Sequence, residues 1–229
     1  MGSTIREVRS EREGDVYYDV RHSSGLRVFI YPKERYNSAY AVFGTKYGSI
    51  DNCFRTSGQR EPRRVPNGIA HYLEHKLFES EEGDAFARYA KTGACANAYT
   101  TFDKTCYLFS CSDHVYESLE ILLDFVQHPY FTEQTVKKEQ GIIGQEIRMY
   151  DDTPGWRVLF NLLEALYHTH PVKIDIAGTT ESIARITPAL LYECYGTFYN
   201  LNNMALCVAG GVDPDRVLAL CDRMLKPSK

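Results

Sequence analysis

Apolar and polar positions alternate with a period of two in several short runs. Tyr17–His22 and Leu26–Tyr31 flank Ser23-Ser24-Gly25 and read as a first hairpin. Ala39–Gly44, Cys95–Thr101, Thr105–Cys111 and Met204–Ala209 are further strands, the middle two turning at Phe102-Asp103-Lys104. Between these runs the period lengthens to that of a helix. Gly68–Phe78 is one such segment, and Asp84 caps a second that runs to Lys91 and closes at Thr92-Gly93. His114–Gln127 carries Leu119, Leu122, Leu123 and Val126 on one side and stops before Pro129. Glu133–Met149 is the long helix, although Gly141 and Gly144 cost about 1 kcal/mol each there and imply close packing against another element. Arg157–Tyr167, Pro188–Tyr199 and Pro214–Met224 complete the set. Gly48–Pro66 has loop composition and is read as a mobile loop. Residues 1–14 are charged and lack periodicity, so they read as a flexible lead-in. The strands cluster instead of alternating with helices. That order predicts an α+β fold: a two-layer domain, with a largely antiparallel mixed sheet of about five or six strands covered by helices, as a single unit over 15–229.

Composition narrows the function classes. A length of 229 residues suits one sizeable domain, and 44% hydrophobic with 24% charged residues is ordinary for a globular protein. A formal net charge of -4 gives no reason to expect nucleic acid or an anionic membrane surface as partner. No stretch approaches 18 uninterrupted apolar residues, and the N-terminus has no apolar signal core. The seven cysteines, Cys53, Cys95, Cys106, Cys111, Cys194, Cys207 and Cys221, are odd in number and include no Cys-x-x-Cys pair. They suit reduced, mostly buried thiols, so the expected location is cytoplasmic. The 17 tyrosines read first as packing residues of half-buried strands.

The candidate chemistry lies in Gly68-Ile69-Ala70-His71-Tyr72-Leu73-Glu74-His75. At about 100° per residue, His71 and His75 fall roughly 40° apart on one helix face, with Glu74 beside them. Two imidazoles one turn apart can supply two positions around a zinc ion. Glu74 is placed to take a proton from a water that the metal polarises. His-x-x-Glu-His is a zinc peptidase signature. A catalytic zinc usually has three protein ligands and an open position, so a carboxylate from another element is needed. Glu139 and Glu146 are the candidates; seven residues apart on the long helix, they share a face within about 20°. One could ligate the metal while the other supports the site, and spacing alone leaves the choice open. His168 and His170 flank Thr169 but read as structural, His114 and His128 have no partner at ligand spacing, and His22 reads as an exposed strand residue. Arg60, Arg63 and Arg64 read as a solvated loop face.

The stretch 68–75, Asn97-Ala98-Tyr99-Thr100 and the Glu139…Glu146 pair together resemble the pitrilysin (M16) family of zinc metallopeptidases. The likeness continues through His170-Pro171, Gly178-Thr179-Thr180-Glu181 and Asn203–Gly210, so it covers roughly residues 15–225. Within the family it is greatest to bacterial processing-peptidase-like proteins. The resemblance implies one zinc ion held by His71, His75 and Glu146, with Glu74 as general base and Glu139 as a supporting acid. It also implies that Ala94–Thr101 is an edge strand on which an extended peptide substrate pairs, with Ala96, Asn97, Ala98 and Tyr99 in contact and Asn97 adding a polar group. Family members enclose substrate between two homologous halves. This chain matches the first half alone, so the resemblance implies a C-terminal homologous half or a separate subunit of the same family as partner, and the end at Leu225–Lys229 reads as that of a piece of a longer protein. The rival reading is a non-catalytic scaffold that assembles with a partner. Such a scaffold would be expected to lose one or more motif residues, and here all five are present.

Overall fold

Seven strands form one sheet in the computed structural model, which describes residues 2–12, 14–56 and 59–226. They are β1 (Thr4–Arg9), β2 (Val16–Arg21), β3 (Arg27–Pro32), β4 (Ala39–Thr45), β5 (Cys95–Thr100), β6 (Thr105–Cys111) and β7 (Met204–Gly210). Their order across the sheet is β1-β2-β3-β7-β4-β6-β5. β7 enters between β3 and β4 and runs parallel to β3; every other neighbour pair is antiparallel.

The alternation explains which face is covered. Register aligns Val28, Leu206, Phe43 and Tyr107 in one row across four strands, and Ile30, Val208, Ala41 and Phe109 in the next. All eight are fully buried, whereas Tyr40 and Cys207, on the opposite pleat, are exposed. The helices are α1 (Ile69–Leu77), α2 (Ala85–Thr92), α3 (Val115–Gln127), α4 (Glu133–Asp151), α5 (Pro154–Leu166), α6 (Thr180–Ile183), α7 (Pro188–Phe198) and α8 (Pro214–Met224). α1 packs over β5 and β6, α3 over β4 and β6, and α8 against β3, which makes the two-layer α+β architecture. Asp84 caps α2 by accepting a hydrogen bond from the Phe86 amide, and Gly93 ends it in the left-handed region at φ 71°. No helix among the described residues is long and apolar enough to cross a membrane.

Several expectations are corrected. The sheet is larger than five or six strands because Thr4–Arg9, within the expected lead-in, pairs along its whole length with β2. Its side chains are almost all exposed, so backbone hydrogen bonds hold it and no hydrophobic period marks it. α5 begins at Pro154, not Arg157, since proline is favoured in the first helical turn. A short helix, Thr180–Ile183, is closed by reciprocal capping between Thr179 and Ser182. Gly141 does not mark close packing: a Cβ built there meets nothing within 4 Å, and at Gly144 the nearest atoms lie 3.9 Å away. Within Gly48–Pro66, Cys53–Phe54 and Arg63–Arg64 pair as a small hairpin, and Arg63 bonds Glu193 at 3.0 Å. His22 is buried, not exposed; its Nε2 lies 2.9 Å from Asp222 Oδ1 on α8 and its Nδ1 2.8 Å from Ser24 Oγ. Four of the seven free cysteines are buried, and Cys53, Cys95 and Cys207 are exposed.

Candidate metal centre

α1 is short and almost wholly buried, with Ile69, Ala70, Tyr72, Leu73 and Leu77 in the core. That burial presses its polar stripe, His71, Glu74 and His75, toward α4. The helix starts at Gly68, φ +86°, where a Cβ would lie 2.3 Å from the Ala177 carbonyl oxygen, so only glycine permits this start. The Tyr72 hydroxyl donates to the Val136 carbonyl and pins α1 to the first turn of α4. Two turns of α4 beyond Glu139, Glu146 faces both histidines.

The imidazole rings of His71 and His75 stand 4.6 Å apart. Glu146 Oε1 lies 3.6 Å from His71 Nε2, and Glu146 Oε2 lies 3.3 Å from His75 Nε2. One ligand atom from each of the three residues falls within 4.8 Å of the others, and this is the grouping of His, Cys, Asp or Glu with metal-binding spacing among the described residues. The second candidate acid, Glu139, turns to the opposite edge of His75: Nδ1 donates to its Oε1 at 3.0 Å. That bond keeps a proton on Nδ1 and leaves Nε2 as the nitrogen that faces Glu146 and would bind a metal on losing its own proton.

Charge and burial test whether a cation fits. Glu74 and Glu139 are buried and Glu146 is half-buried; Glu74 and Glu146 line the cavity with the two imidazoles, and Glu139 backs His75, so three carboxylates surround two imidazoles. Buried charge of one sign is costly without a counter-ion. Burial favours the neutral form of both His75 and Glu146, yet their neighbours overturn it. Hydrogen bonds to Glu139 and Glu146 push the His75 pKa up to about 10. Hydrogen bonds from His71 and His75, with the charge of His71, hold Glu146 well below the usual carboxylate range. His71 Nδ1 is buried with no hydrogen-bond partner among the described residues, so all polar demand on that ring falls at its Nε2 end. Two nitrogens and one carboxylate are a donor set that suits zinc. The residues fit the ion.

The remaining site residues come from β5, an edge strand paired on one side with β6. A cavity of about 310 Å³ lies between this strand and the histidines, bordered by Asn97, Ala98, Tyr99 and Thr100. Ala96 and Ala98 pack on the core, and Ala96 does not border the cavity. The Asn97 side chain accepts a hydrogen bond from the Ala98 amide at 2.8 Å. A larger hollow of about 750 Å³, beside α2, holds none of these groups. His170 serves the backbone, its Nδ1 accepting from the Val172 amide at 3.2 Å.

The structure adds two groups that sequence reasoning missed. Thr100 Oγ1 donates to Glu74 Oε2 at 2.6 Å. The Tyr150 hydroxyl donates to Glu146 Oε1 at 2.7 Å, and its ring stacks on Trp156 with centroids 4.6 Å apart. Tyr150 stands four residues after Glu146, one helical turn, which is the signal that could have found it. Thr100 had no such local mark, because its partner is 26 residues away.

Comparison with known proteins identifies the family. Residues 56–180 match the family described as insulinase (peptidase family M16), and residues 185–229 match that described as the peptidase M16 inactive domain. All the residues grouped above lie within the first match. A Bacillus subtilis protein named uncharacterized zinc protease YmfH is 55% identical over 215 residues, covering 94% of this chain and 50% of that protein. A crystal structure of a candidate M16-like peptidase from Alicyclobacillus acidocaldarius superimposes with TM-score 0.85 and 45% identity, over 97% of this chain and 49% of that one. Pitrilysin shares the fold at TM-score 0.80 and 16% identity, over 98% of this chain and 25% of its own. The chain thus spans about half the length of the YmfH protein and of the Alicyclobacillus chain. The family match over residues 56–180, with 55% identity to the YmfH protein across 94% of this chain, makes the chain a member of the insulinase family of peptidases, family M16.

Proposed function

We propose that the chain is the metal-bearing half of a zinc endopeptidase acting on extended peptides. The observation that carries this reading is the convergence of His71, His75 and Glu146 within 4.8 Å, with Glu74 alongside. These three residues would hold one zinc ion, which supplies Lewis acidity toward a water and the scissile carbonyl. Glu74 takes the proton of the attacking water and later delivers it to the leaving nitrogen. Thr100 occupies Glu74 Oε2, and Oε1 has no protein donor among the described residues, so one oxygen of the base stays available. Glu139 holds the His75 ring in the tautomer that presents Nε2. The open edge of β5 pairs with the peptide backbone, and Asn97, Ala98 and Tyr99 border the bound segment.

A second homologous half, covalent or separate, closes over this surface. Relatives of about twice the length support that, as does the apolar face of α5, where Val158, Leu159, Leu162 and Leu166 are exposed. Seven free cysteines fit a reducing compartment, and the cytoplasm is the proposed location.

Elemental analysis of the wild type beside His71→Ala and Glu146→Gln tests the site. About one zinc per chain in the wild type, with both variants depleted, is the expected result. A wild type that takes up no zinc on dialysis against it would leave the scaffold reading in its place. Glu74→Gln in the double-length protein should retain zinc and lose peptide hydrolysis; retained turnover would remove Glu74 from the role of base.

A further inference from the structure

The metal centre sits at one point of a closed ring of contacts that ties the two ligand-bearing helices together through a third segment. Glu146 on α4 accepts from Tyr150, and Tyr150 stacks on Trp156 at an interplanar angle of 16°. Trp156 Nε1 donates to Asp175 Oδ2 at 2.6 Å, and Asp175 Oδ1 accepts from the Ala177 amide at 2.9 Å. The Ala177–Gly178 backbone then lies against the start of α1. A Cβ on Gly178, φ +75°, would sit 2.6 Å from the Asn67 carbonyl oxygen, the mirror of the close approach at Gly68. Ser182 Oγ donates to that same Asn67 carbonyl at 2.8 Å and locks the approach. From Asn67 and Gly68 the path returns along α1 to His71 and His75.

We infer that Tyr150, Trp156 and Asp175 are positioning residues for Glu146, a relay that sets the orientation of its carboxylate from the 175–178 loop. The inference rests on the reading of Glu146 as a metal ligand. A glutamate reaches its ligand atom through three rotatable bonds, and the helical backbone at Glu146 leaves the last of them free, so a side-chain contact must set it. Tyr150 claims Oε1 and thereby turns Oε2 toward His75 Nε2, 3.3 Å away. Tyr150 cannot swing off, because its ring is stacked on an indole that is itself hydrogen-bonded to Asp175. His75 receives the equivalent service from Glu139. Two of the three ligands therefore carry an outer partner, and groups of that kind set metal affinity.

Trp156 is the single tryptophan of the chain, so its fluorescence reports on the relay directly. Zinc affinity is measured by chelator competition on the 229-residue chain and on Tyr150→Phe, which keeps the stacked ring and removes the hydroxyl. Zinc binding should weaken about tenfold or more in the variant. The visible bands of the cobalt-loaded protein should change, and the melting temperature of the metal-free protein should not. Trp156→Phe, which keeps an aromatic ring but has no donor for Asp175, should weaken zinc binding in the same direction. In the wild type, zinc titration should change Trp156 fluorescence, with the midpoint displaced to higher zinc in Tyr150→Phe. Zinc affinity within twofold of wild type in Tyr150→Phe, with an unchanged cobalt spectrum, overturns the relay alone. Failure of the wild type to bind zinc overturns the ligand reading and the relay with it.

Discussion

His75 is held between two carboxylates, and the sign of its pH dependence follows from that. Its folded pKa is raised to about 10 from the ordinary 6.5. In the metal-free protein the raised His75 pKa therefore contributes stability that is present below about pH 6.5, while Glu146 stays ionised, and is lost as pH rises toward 10. A metal must displace the same proton, so apparent zinc affinity should rise by up to tenfold per pH unit across this window. Thermal melts with and without zinc at pH 6.5, 7.5 and 8.5 should show a widening gap; a constant gap would mean that His75 carries no proton to displace. Thr100 poses the other question at this scale. Thr100→Val removes the donor to Glu74 Oε2 and should lower kcat of the double-length enzyme on the order of tenfold, with zinc content and KM unchanged. An unaltered kcat would show that Glu74 is oriented by other contacts. The His-x-x-Glu-His spacing was legible because it is one turn of one helix. Glu139 and Glu146 could not be assigned from spacing, because what separates them is which side of His75 each one meets.

The helices differ in how much of their function the sequence declares. α4 runs over 19 residues from a reciprocal Thr132–Thr135 cap and carries two interior glycines. Gly141 is exposed with open space around its Cβ position, so Gly141→Ala should stabilise the protein by about 0.5–1 kcal/mol, seen as a higher urea midpoint at unchanged slope. A destabilised variant would show that the helix yields at that point. Gly68 is the contrary case. With φ +86° and a carbonyl 2.3 Å from any Cβ, Gly68→Ala must shift either α1 or the 177–178 loop. It should cost on the order of 2 kcal/mol and weaken zinc binding as well, measured by melting and chelator competition. Loss of stability with full zinc affinity would mean that the histidines do not depend on how α1 begins. β1 shows the limit of pattern reading: a strand exposed along nearly its whole length has no buried face to impose a period.

At the scale of the molecule, the site lies where the edge of the sheet meets the α1–α4 pair, and the face of α5 turned away from the buried Phe160 stays open. Four exposed aliphatic side chains on one helix are more than a free surface ordinarily leaves together. If the second half covers them, Leu162→Glu should depress peptide hydrolysis by the double-length protein while sparing zinc in this half; unchanged activity would place the second half elsewhere. Elements whose cause is local could be read from the order of residues. These are the half-buried strands with their period of two, the capped helices, the two-layer α+β class and the pair of histidines with Glu74. Whatever depends on groups far apart in the chain came from the folded arrangement. It put β7 between β3 and β4, set Glu139 against one edge of His75 and Glu146 between His71 and His75, joined Thr100 to Glu74, and closed the path from Tyr150 through Trp156 to Asp175. The physical reason is that hydrogen bonding within a turn and burial on one face are written in neighbouring residues. Which side chains meet across the core is fixed only when the sheet order and the approach of α1 to α4 are set together.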